Sequence, residues 1–425
     1  MITQDNKSKE IELFERDELA LLAGKTIGKL SAEKFPGLLV FPRDFNDSED
    51  LGKDTVIYSI ENNRLVTYNI VGFIGFAHTQ LTIRSRFAEE NEEDFFLHYM
   101  LQKVLSLNIT ELKHKTADEQ VLDFLIYLFP SLLKRAIRQG IFREYQSRAY
   151  DNANIKGRID VARFIRKDIP FAGHVAYSTR EYCADNSMNQ LIRHTIEYIK
   201  ARKSCHGRQL LNIDEETKQA VSLITAHTPS YQQRNRQTVI HRNLKAVRHP
   251  YFSAYLPLQR LCLQILRHEG LKYGQANEKI QGVLFDAAWL WEEYLHTVLK
   301  PMGYRHSRNK RQEGAIYLFE GNKGNKRYPD FYKEDIVLDA KYKNDANRED
   351  YHQMITYLYI LKGRIGAFIF PDTNSLQSKT GKLNGYGAEL HSLHLAIPSH
   401  CASYSDFCQG MGKQEEFLRK SLTFQ

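Results

Sequence analysis

The sequence predicts a multidomain α+β protein, with a β-rich N-terminal region, a mainly helical middle and a C-terminal α/β domain on a mixed sheet. Three observations carry this. Apolar and polar residues alternate through the first ~90 residues, the period of half-buried strands. From there to about residue 280, apolar residues recur at threes and fours, the helical period. Beyond it, short apolar runs such as Ile336-Val337-Leu338 and IGAFIFP (365–371) flank a helical stretch, the strand–helix–strand order of a right-handed crossover. A chain of 425 residues is too long for one small core, so two or three domains are expected.

Taken in order, VIYSIENNRLVTYNIVGFIGF and LTIRSRF read as strands, with Asn62-Asn63 as a turn. AEENEEDFF (88–96) is an acidic helix entry, where negative charge complements the helix dipole. FFLHYMLQKVLSL, VLDFLIYLFPSLLKRAIRQGI, MNQLIRHTIEYIKAR and PLQRLCLQILRHEG follow as helices. Between them, NIKGRIDVARFI reads as a short basic β-ribbon after Gly157. AAWLWEEYLHTVLK (287–300) is an amphipathic helix and AIYLFEG a strand. LHSLHLAIP alternates as a final strand should, which weighs against a zinc site among His391, His394, His400, Cys401 and Cys408, whose spacing fits no standard ligand pairs.

Hydrophobic content of 42% with 12% aromatics is that of a globular chain. Net charge is +8, and the basic residues cluster in RHSRNKR (305–311), GNKGNKR (321–327) and YQQRNRQ (231–237), a pattern suited to phosphate contacts. Five widely spaced cysteines fit reduced thiols, and the polar N-terminus is no signal peptide. No run reaches the ~20 apolar residues of a membrane span, so a cytoplasmic protein without membrane contact is expected. LLAGKT (21–26) imitates the end of a phosphate-binding loop, but Leu19 stands where that loop requires glycine. Any nucleotide-driven step is therefore expected to belong to a partner.

RYPDFYKEDIVLDAKYK (327–343) carries the chemistry. Lys326–Tyr332 and Ile336–Tyr342 read as a hairpin about Lys333, Glu334 and Asp335, which sets Asp330 opposite Asp339. Lys341, two residues beyond Asp339, shares its face. Two adjacent carboxylates are costly without a cation between them, and hard oxygen ligands suit Mg²⁺, with Mn²⁺ as a second choice. A divalent ion there, with a lysine beside it, can activate water against a phosphodiester. The metal ligands expected from this pairing are Asp330 and Asp339. In EDYHQMITYLYILKG, Gln353 and Tyr357 lie four apart and project from one helix face.

These residues resemble a known group. Pro329-Asp330, Asp339-Ala340-Lys341 and Gln353-x-x-x-Tyr357 are similar to the PD-(D/E)xK nuclease core in its RecB-like branch. That superfamily places a glutamate on a preceding helix, which points to Glu292 after Leu290-Trp291, with Glu293 as the other candidate. The resemblance extends further. IVGFIGFAHTQLTIRSRF (70–87), FFLHYMLQKVL (95–105), NIKGRIDVARFIRKDIP (154–170) and REYCADNSMNQLIRHTIEYI (180–199) are similar to McrC proteins, in order along nearly the whole chain.

The McrC resemblance implies the nuclease subunit of a 5-methylcytosine-dependent restriction system. Its DNA would carry methylated cytosine flanked by purine, and its partner would be an McrB-like AAA+ GTPase hexamer that binds the GTP and is stimulated by this chain. The implied organisation is a partner-docking domain over 1–93, a connecting and DNA-contact domain over 94–280 and the nuclease domain over 281–425. Lys341 would orient or deprotonate the attacking water, while Gln353 and Tyr357 position the strand or neighbouring ligands. A stand-alone PD-(D/E)xK repair or recombination nuclease, or a catalytically silent DNA-binding assembly subunit, are the other readings; intact Asp330, Asp339 and Lys341 speak against the silent one.

Overall fold

Strand Gln281–Asp286 lies in a sheet otherwise built from the N-terminal end of the chain. The order is Ile2–Gln4, Gln80–Arg84, Ile70–Gly75, Gln281–Asp286, Leu38–Phe41. Gln281–Asp286 runs antiparallel to Ile70–Gly75 and parallel to Leu38–Phe41. Glycines permit this seam: a Cβ on Gly282 would meet the Phe73 carbonyl oxygen at 2.2 Å, and one on Gly72 the Val283 oxygen at 2.1 Å. The computed structural model describes residues 1–425 except 13–14, 27–37, 42–55, 77–78, 90–93, 106–116, 203–206, 248, 272–280, 308–313, 374–378, 386 and 424–425.

The chain forms two compact units, one of 1–112 with 276–425 and one of 113–275. This departs from the expected consecutive division into 1–93, 94–280 and 281–425. The physical reason is the backbone pairing just described, which draws the start of the C-terminal segment into the N-terminal sheet. Helix Phe95–Leu105 belongs to the same unit, with Phe96 packed 6.1 Å from the buried Trp291 ring. Glu415, 3% exposed on helix Tyr404–Ser421, accepts from Tyr99 at 2.7 Å and Tyr294 at 3.0 Å and pairs with Lys103. One desolvated carboxylate thus ties three helices, the strong kind of charge-assisted bonding.

The N-terminal strands otherwise follow the reading from sequence. Tyr58–Glu61 and Arg64–Thr67 pair across Asn62 and Asn63, whose φ values of 49° and 63° make the left-handed turn that matches strand twist. Asp94 receives the Leu97 amide at 3.0 Å and starts the following helix, while residues 90–93 of the acidic stretch lie outside the described residues.

The C-terminal sheet has the order Arg305–His306, Phe331–Lys333, Ile336–Ala340, Ile365–Asp372, Glu389–Ala396, Lys379–Lys382. It is mixed, as expected: Ile336–Ala340, Ile365–Asp372 and Glu389–Ala396 are parallel neighbours, and the rest pair antiparallel. Helix Arg348–Leu361 makes the crossover between the first two parallel strands. A reciprocal cap between Asn347 and Asp350 starts it, and Met354, Tyr357 and Leu358 pack on Val337, Phe368 and Phe370. Each large side chain so buried contributes about 1.5–3 kcal/mol.

Two strand expectations need correction. Lys326 and Arg327 do not extend the Asp330 strand; they end Asn322–Arg327, which pairs with Ile316–Phe319 in its own two-stranded sheet. Tyr328 and Pro329 break the ladder between the two strands, since proline has no N–H to give it. The turn is also shorter than expected. Lys333 pairs with Ile336, leaving only Glu334 and Asp335 to reverse the chain, with Glu334 at φ 52°.

In the second unit the helices Ala117–Ile137, Ser187–Ala201 and Tyr255–Leu271 stand where periodicity puts them. The ribbon expected after Gly157 shrinks to Arg158–Ile159. Asp160 accepts the Arg163 amide at 3.1 Å, so the chain turns at once into helix Val161–Lys167. The long antiparallel pair is instead Glu144–Asn152 with Val175–Cys183. Gly157 is needed where it stands, because a Cβ there would meet the Ser178 carbonyl oxygen at 2.2 Å.

This topology predicts that fragment 281–425, expressed alone, will lose the cooperative thermal transition of the full chain, because strand Gln281–Asp286 and Trp291 lose their neighbours. Adding fragment 1–112 in trans should restore part of the circular-dichroism melt. A fragment 281–425 that melts cooperatively at the full-length temperature would contradict the shared-sheet account.

Candidate active site

The ladder pairs Phe331 with Leu338, and continuing that register sets Asp330 against Asp339, as the sequence reading expected. Asp330 sits just before its strand and takes the Ala340 amide on Oδ2 at 2.7 Å. Asp339 is 1% exposed in the parallel core; its Oδ1 has no hydrogen-bond donor, and Lys341 Nζ stands 2.8 Å from its Oδ2. Lys341 is also held by Gln353 Oε1 at 3.2 Å and Asp350 Oδ1 at 3.4 Å. From Gln353 the chain of contacts continues: its Nε2 donates to the Tyr357 hydroxyl at 2.6 Å, which donates to the Tyr328 carbonyl at 3.0 Å. The i,i+4 pair therefore faces Lys341, and Tyr357 bonds the backbone two residues before Asp330.

Burial dominates the electrostatics. It pushes the Asp330 carboxyl well above its ordinary range, Asp339 and Glu292 push it further, and Lys341 and the Ala340 amide only partly oppose them. Burial raises Asp339 as well, against the pull of Lys341. Burial works against the Lys341 ammonium, but Asp339, Asp330 and Asp350 outweigh it and lift its pKa above the usual lysine value. Lys341 is therefore a firmly charged ammonium, a fixed donor before it is a base.

Glu292 and Glu293 lie on helix Ala287–Leu299, started by Asp286, which accepts the Ala288 amide at 2.9 Å and the Trp289 amide at 3.2 Å. Each has its Oε1 3.8 Å from His306 Nε2, so the geometry does not choose between them through this contact. Glu292 is the one whose charge reaches Asp330.

Two residues at the site were not singled out from sequence. His306, read as part of a phosphate-gripping loop, is instead buried; its Nδ1 lies 2.9 Å from the Asp330 carbonyl, and its ring stacks on Phe331. Burial opposes its charge, yet Glu293, Glu292 and the Asp330 carbonyl raise its pKa. Asp350 braces Lys341 and Lys343. The Asn347-x-x-Asp350 capping pattern could have flagged Asp350; nothing local marks His306. Of the basic loops, Arg308, Lys310 and Arg311 lie outside the described residues, while Lys326 and Arg327 are exposed on their hairpin. Arg236, from the 231–237 cluster, is committed to the Leu266 carbonyl and the Tyr198 ring.

The donor set can be tested against the expected metal. Among the described residues no three acidic, imidazole or thiol side chains converge on one point. Asp330 and Asp339 remain as a two-carboxylate set with an orphaned buried oxygen. Mg²⁺ commonly takes only one or two carboxylates, with waters and substrate phosphate completing its shell. The residues therefore fit magnesium, and zinc poorly.

A family profile described as McrBC 5-methylcytosine restriction system component matches residues 65–371, well over half of the chain. The chain belongs to this family. A chain of a solved Thermococcus gammatolerans assembly, a half-complex of McrB AAA+ hexamers with bound McrC, shares 16% identity at a TM-score of 0.50, covering 97% of this chain and 99% of that one. A chain of the Thermococcus gammatolerans McrBC complex shares 19% identity at a TM-score of 0.34, covering 70% and 87%. No curated protein sequence matches. The first likeness extends the family's fold over nearly the full length. Among the described residues no helix is long and apolar enough to cross a membrane.

The buried carboxylates predict a linkage. Groups whose folded pKa is raised contribute stability below their unfolded pKa, near 4, and lose it as pH climbs through the folded value. In EDTA, Asp330→Asn should therefore melt at or above the wild-type temperature, with the gap widening as pH rises. Mg²⁺ should stabilise wild type and leave Asp330→Asn nearly unmoved. A variant stabilised by Mg²⁺ as much as wild type would remove Asp330 from the ligand set.

Proposed function

We propose that this chain is the Mg²⁺-dependent endodeoxyribonuclease subunit of a modification-dependent restriction system. The observation that carries the reading is Lys341, a charged ammonium fixed by Asp339, Asp350 and Gln353 beside two carboxyls forced together. Asp330 and Asp339 would hold the metal, with Glu292 the candidate for a third carboxylate. When bound, the ion supplies Lewis-acid polarisation of the phosphate and a more acidic water.

The residues' own tasks follow from their positions. Lys341 aims an N–H at charge building on the phosphoryl oxygens, the preorganised electrostatic effect that usually dominates such chemistry. It also orients the attacking water. Gln353 restrains the lysine, and Tyr357 locks Gln353 to the Tyr328 carbonyl, fixing the approach to Asp330. Asp350 holds Lys341 from the other side and leaves the carboxyl pair for the metal.

Family membership and the full-length fold likeness support an McrB-like AAA+ GTPase hexamer as partner, with methylcytosine-containing DNA as substrate. The partner would bind GTP, and this chain would stimulate its hydrolysis through residues 1–93. The motif at 21–26 supports that division of labour. Its Leu19 is 0% exposed at the end of helix Arg16–Ala20, packed as a core residue where a phosphate loop would need glycine.

Cleavage of methylated plasmid by full-length protein, partner GTPase, GTP and Mg²⁺ is the decisive assay. Asp339→Ala should abolish cutting, and Lys341→Ala should slow it by about 10²–10³-fold, the cost of one transition-state donor, without loss of fold. Wild-type rates from a folded Asp339→Ala protein would sink the assignment. Robust cutting by this chain alone, indifferent to GTP and methylation, would point to a stand-alone nuclease.

Tyr357→Phe tests the relay separately. It should lower the rate about tenfold while the melting temperature shifts little, because the ring still fills its pocket and only the hydroxyl contacts are lost. Loss of stability with full activity would make Tyr357 a packing residue.

A further inference from the structure

One cleft in the unit 113–275 is untouched by the site above. It encloses about 680 Å³ between the ribbon Glu144–Asn152/Val175–Cys183 and the segment after helix Arg236–Arg242. That volume lies within the range of about 300–1,000 Å³ typical of ligand clefts. Tyr145 and Tyr182 are direct cross-strand partners on its ribbon side, 63% and 47% exposed, with ring centroids 5.0 Å apart. Arg180 lies over the Tyr145 ring at 5.2 Å. Arg143, Arg242 and Lys245 also line the cleft, against Glu144 as its single carboxylate. Glu144 is engaged by the Gln146 amide at 3.0 Å. All four cations are exposed.

The walls are built, not incidental. The Phe142 carbonyl takes the side-chain amides of Asn186 at 3.0 Å and Asn189 at 2.8 Å, fixing where the ribbon starts. Gln259, 1% exposed, accepts the Val247 amide at 2.8 Å and donates to the Asn243 carbonyl at 3.0 Å and the Lys245 carbonyl at 3.1 Å, holding the opposite wall. Asn243 in turn donates to the Ser187 carbonyl at 2.8 Å. The D-N-S-x-N block of the sequence thus braces the cleft from beneath.

We propose that this cleft binds a single-stranded segment of nucleic acid, with bases stacked on Tyr145 and Tyr182 and phosphates held by Arg143, Arg180, Arg242 and Lys245. Exposed aromatic rings amid exposed cations are the recurring chemistry of sequence-tolerant strand binding. An acidic protein segment would use the cations and leave the paired rings without a role. The proposal stands on this cleft alone and does not depend on the metal site.

The test uses the full-length chain and a fluorescein-labelled oligothymidylate in EDTA, where nothing is cut. Tyr145→Ala with Tyr182→Ala should weaken binding about tenfold or more, as loss of one to two stacked bases requires, while Tyr145→Phe with Tyr182→Phe should keep it. Arg242→Gln with Lys245→Gln should flatten the salt dependence by about 0.7 per lost contact. A 5-iodouracil oligonucleotide should crosslink to peptides containing Tyr145 or Tyr182. Affinity unchanged by the double alanine variant would overturn the proposal, as would crosslinks confined to 281–425. Polyglutamate that competes at equal charge, with no dependence on the tyrosines, would also overturn it and mark the cleft as a dock for acidic protein.

Discussion

Two carboxyl groups forced together in a desolvated place are the constraint around which the C-terminal sheet is arranged. The two-residue turn at Glu334 and Asp335 sets the register that opposes Asp330 and Asp339, and a one-residue slip would put the two on opposite faces of the sheet. Like charges so placed would lower stability unless the surroundings compensate. Lys341, the Ala340 amide and the acidic–basic set around Asp350 do part of this. What they leave uncompensated, including an unpaired Asp339 oxygen, is the opening for a cation.

That arrangement explains the neighbours. The parallel pairing with Ile365–Asp372 buries Asp339 and so raises the cost of its charge. The crossover helix must then deliver Gln353 and Tyr357 to the lysine, and its reciprocal cap fixes where that helix begins. Gly366 lets it approach: a Cβ there would crowd Met354 Sδ at 3.0 Å and Leu358 Cδ1 at 3.1 Å. The same cap residue, Asp350, reaches back to Lys341, so helix initiation and site geometry are one device.

The site was legible in sequence where its logic is local. Reading the stretch as a hairpin put Asp330 opposite Asp339 although its turn was drawn one residue too long, i,i+4 spacing gave Gln353 with Tyr357, and apolar runs gave the parallel strands. Legibility ended where partners lie far apart. His306 looks like one more basic loop residue until strand Arg305–His306 pairs with Phe331–Lys333. Strand Gln281–Asp286 carries no sign that its neighbours are Ile70–Gly75 and Leu38–Phe41. The ribbon segment EYQSRAYDN was missed because polar residues occupy both its faces, leaving no hydrophobic period to read. The break at Tyr328-Pro329 shows the reverse case, where a proline was noticed but the ladder it ends was not.

The interrupted N-terminal sheet has a consequence for how the protein is made. During synthesis, Ile70–Gly75 leaves the ribosome long before Gln281–Asp286, its antiparallel neighbour. The interval is roughly 200 residues, on the order of 10–40 s at ordinary translation rates. Through that time the unit 113–275 can fold as a complete body, while the earlier strands present an unpaired apolar edge. Val71 and Ile74, both fully buried in the finished sheet, are on that edge. The nascent chain is therefore most exposed to aggregation in the middle of its synthesis, and chaperone occupancy of the N-terminal strands should end only when residue 286 has emerged.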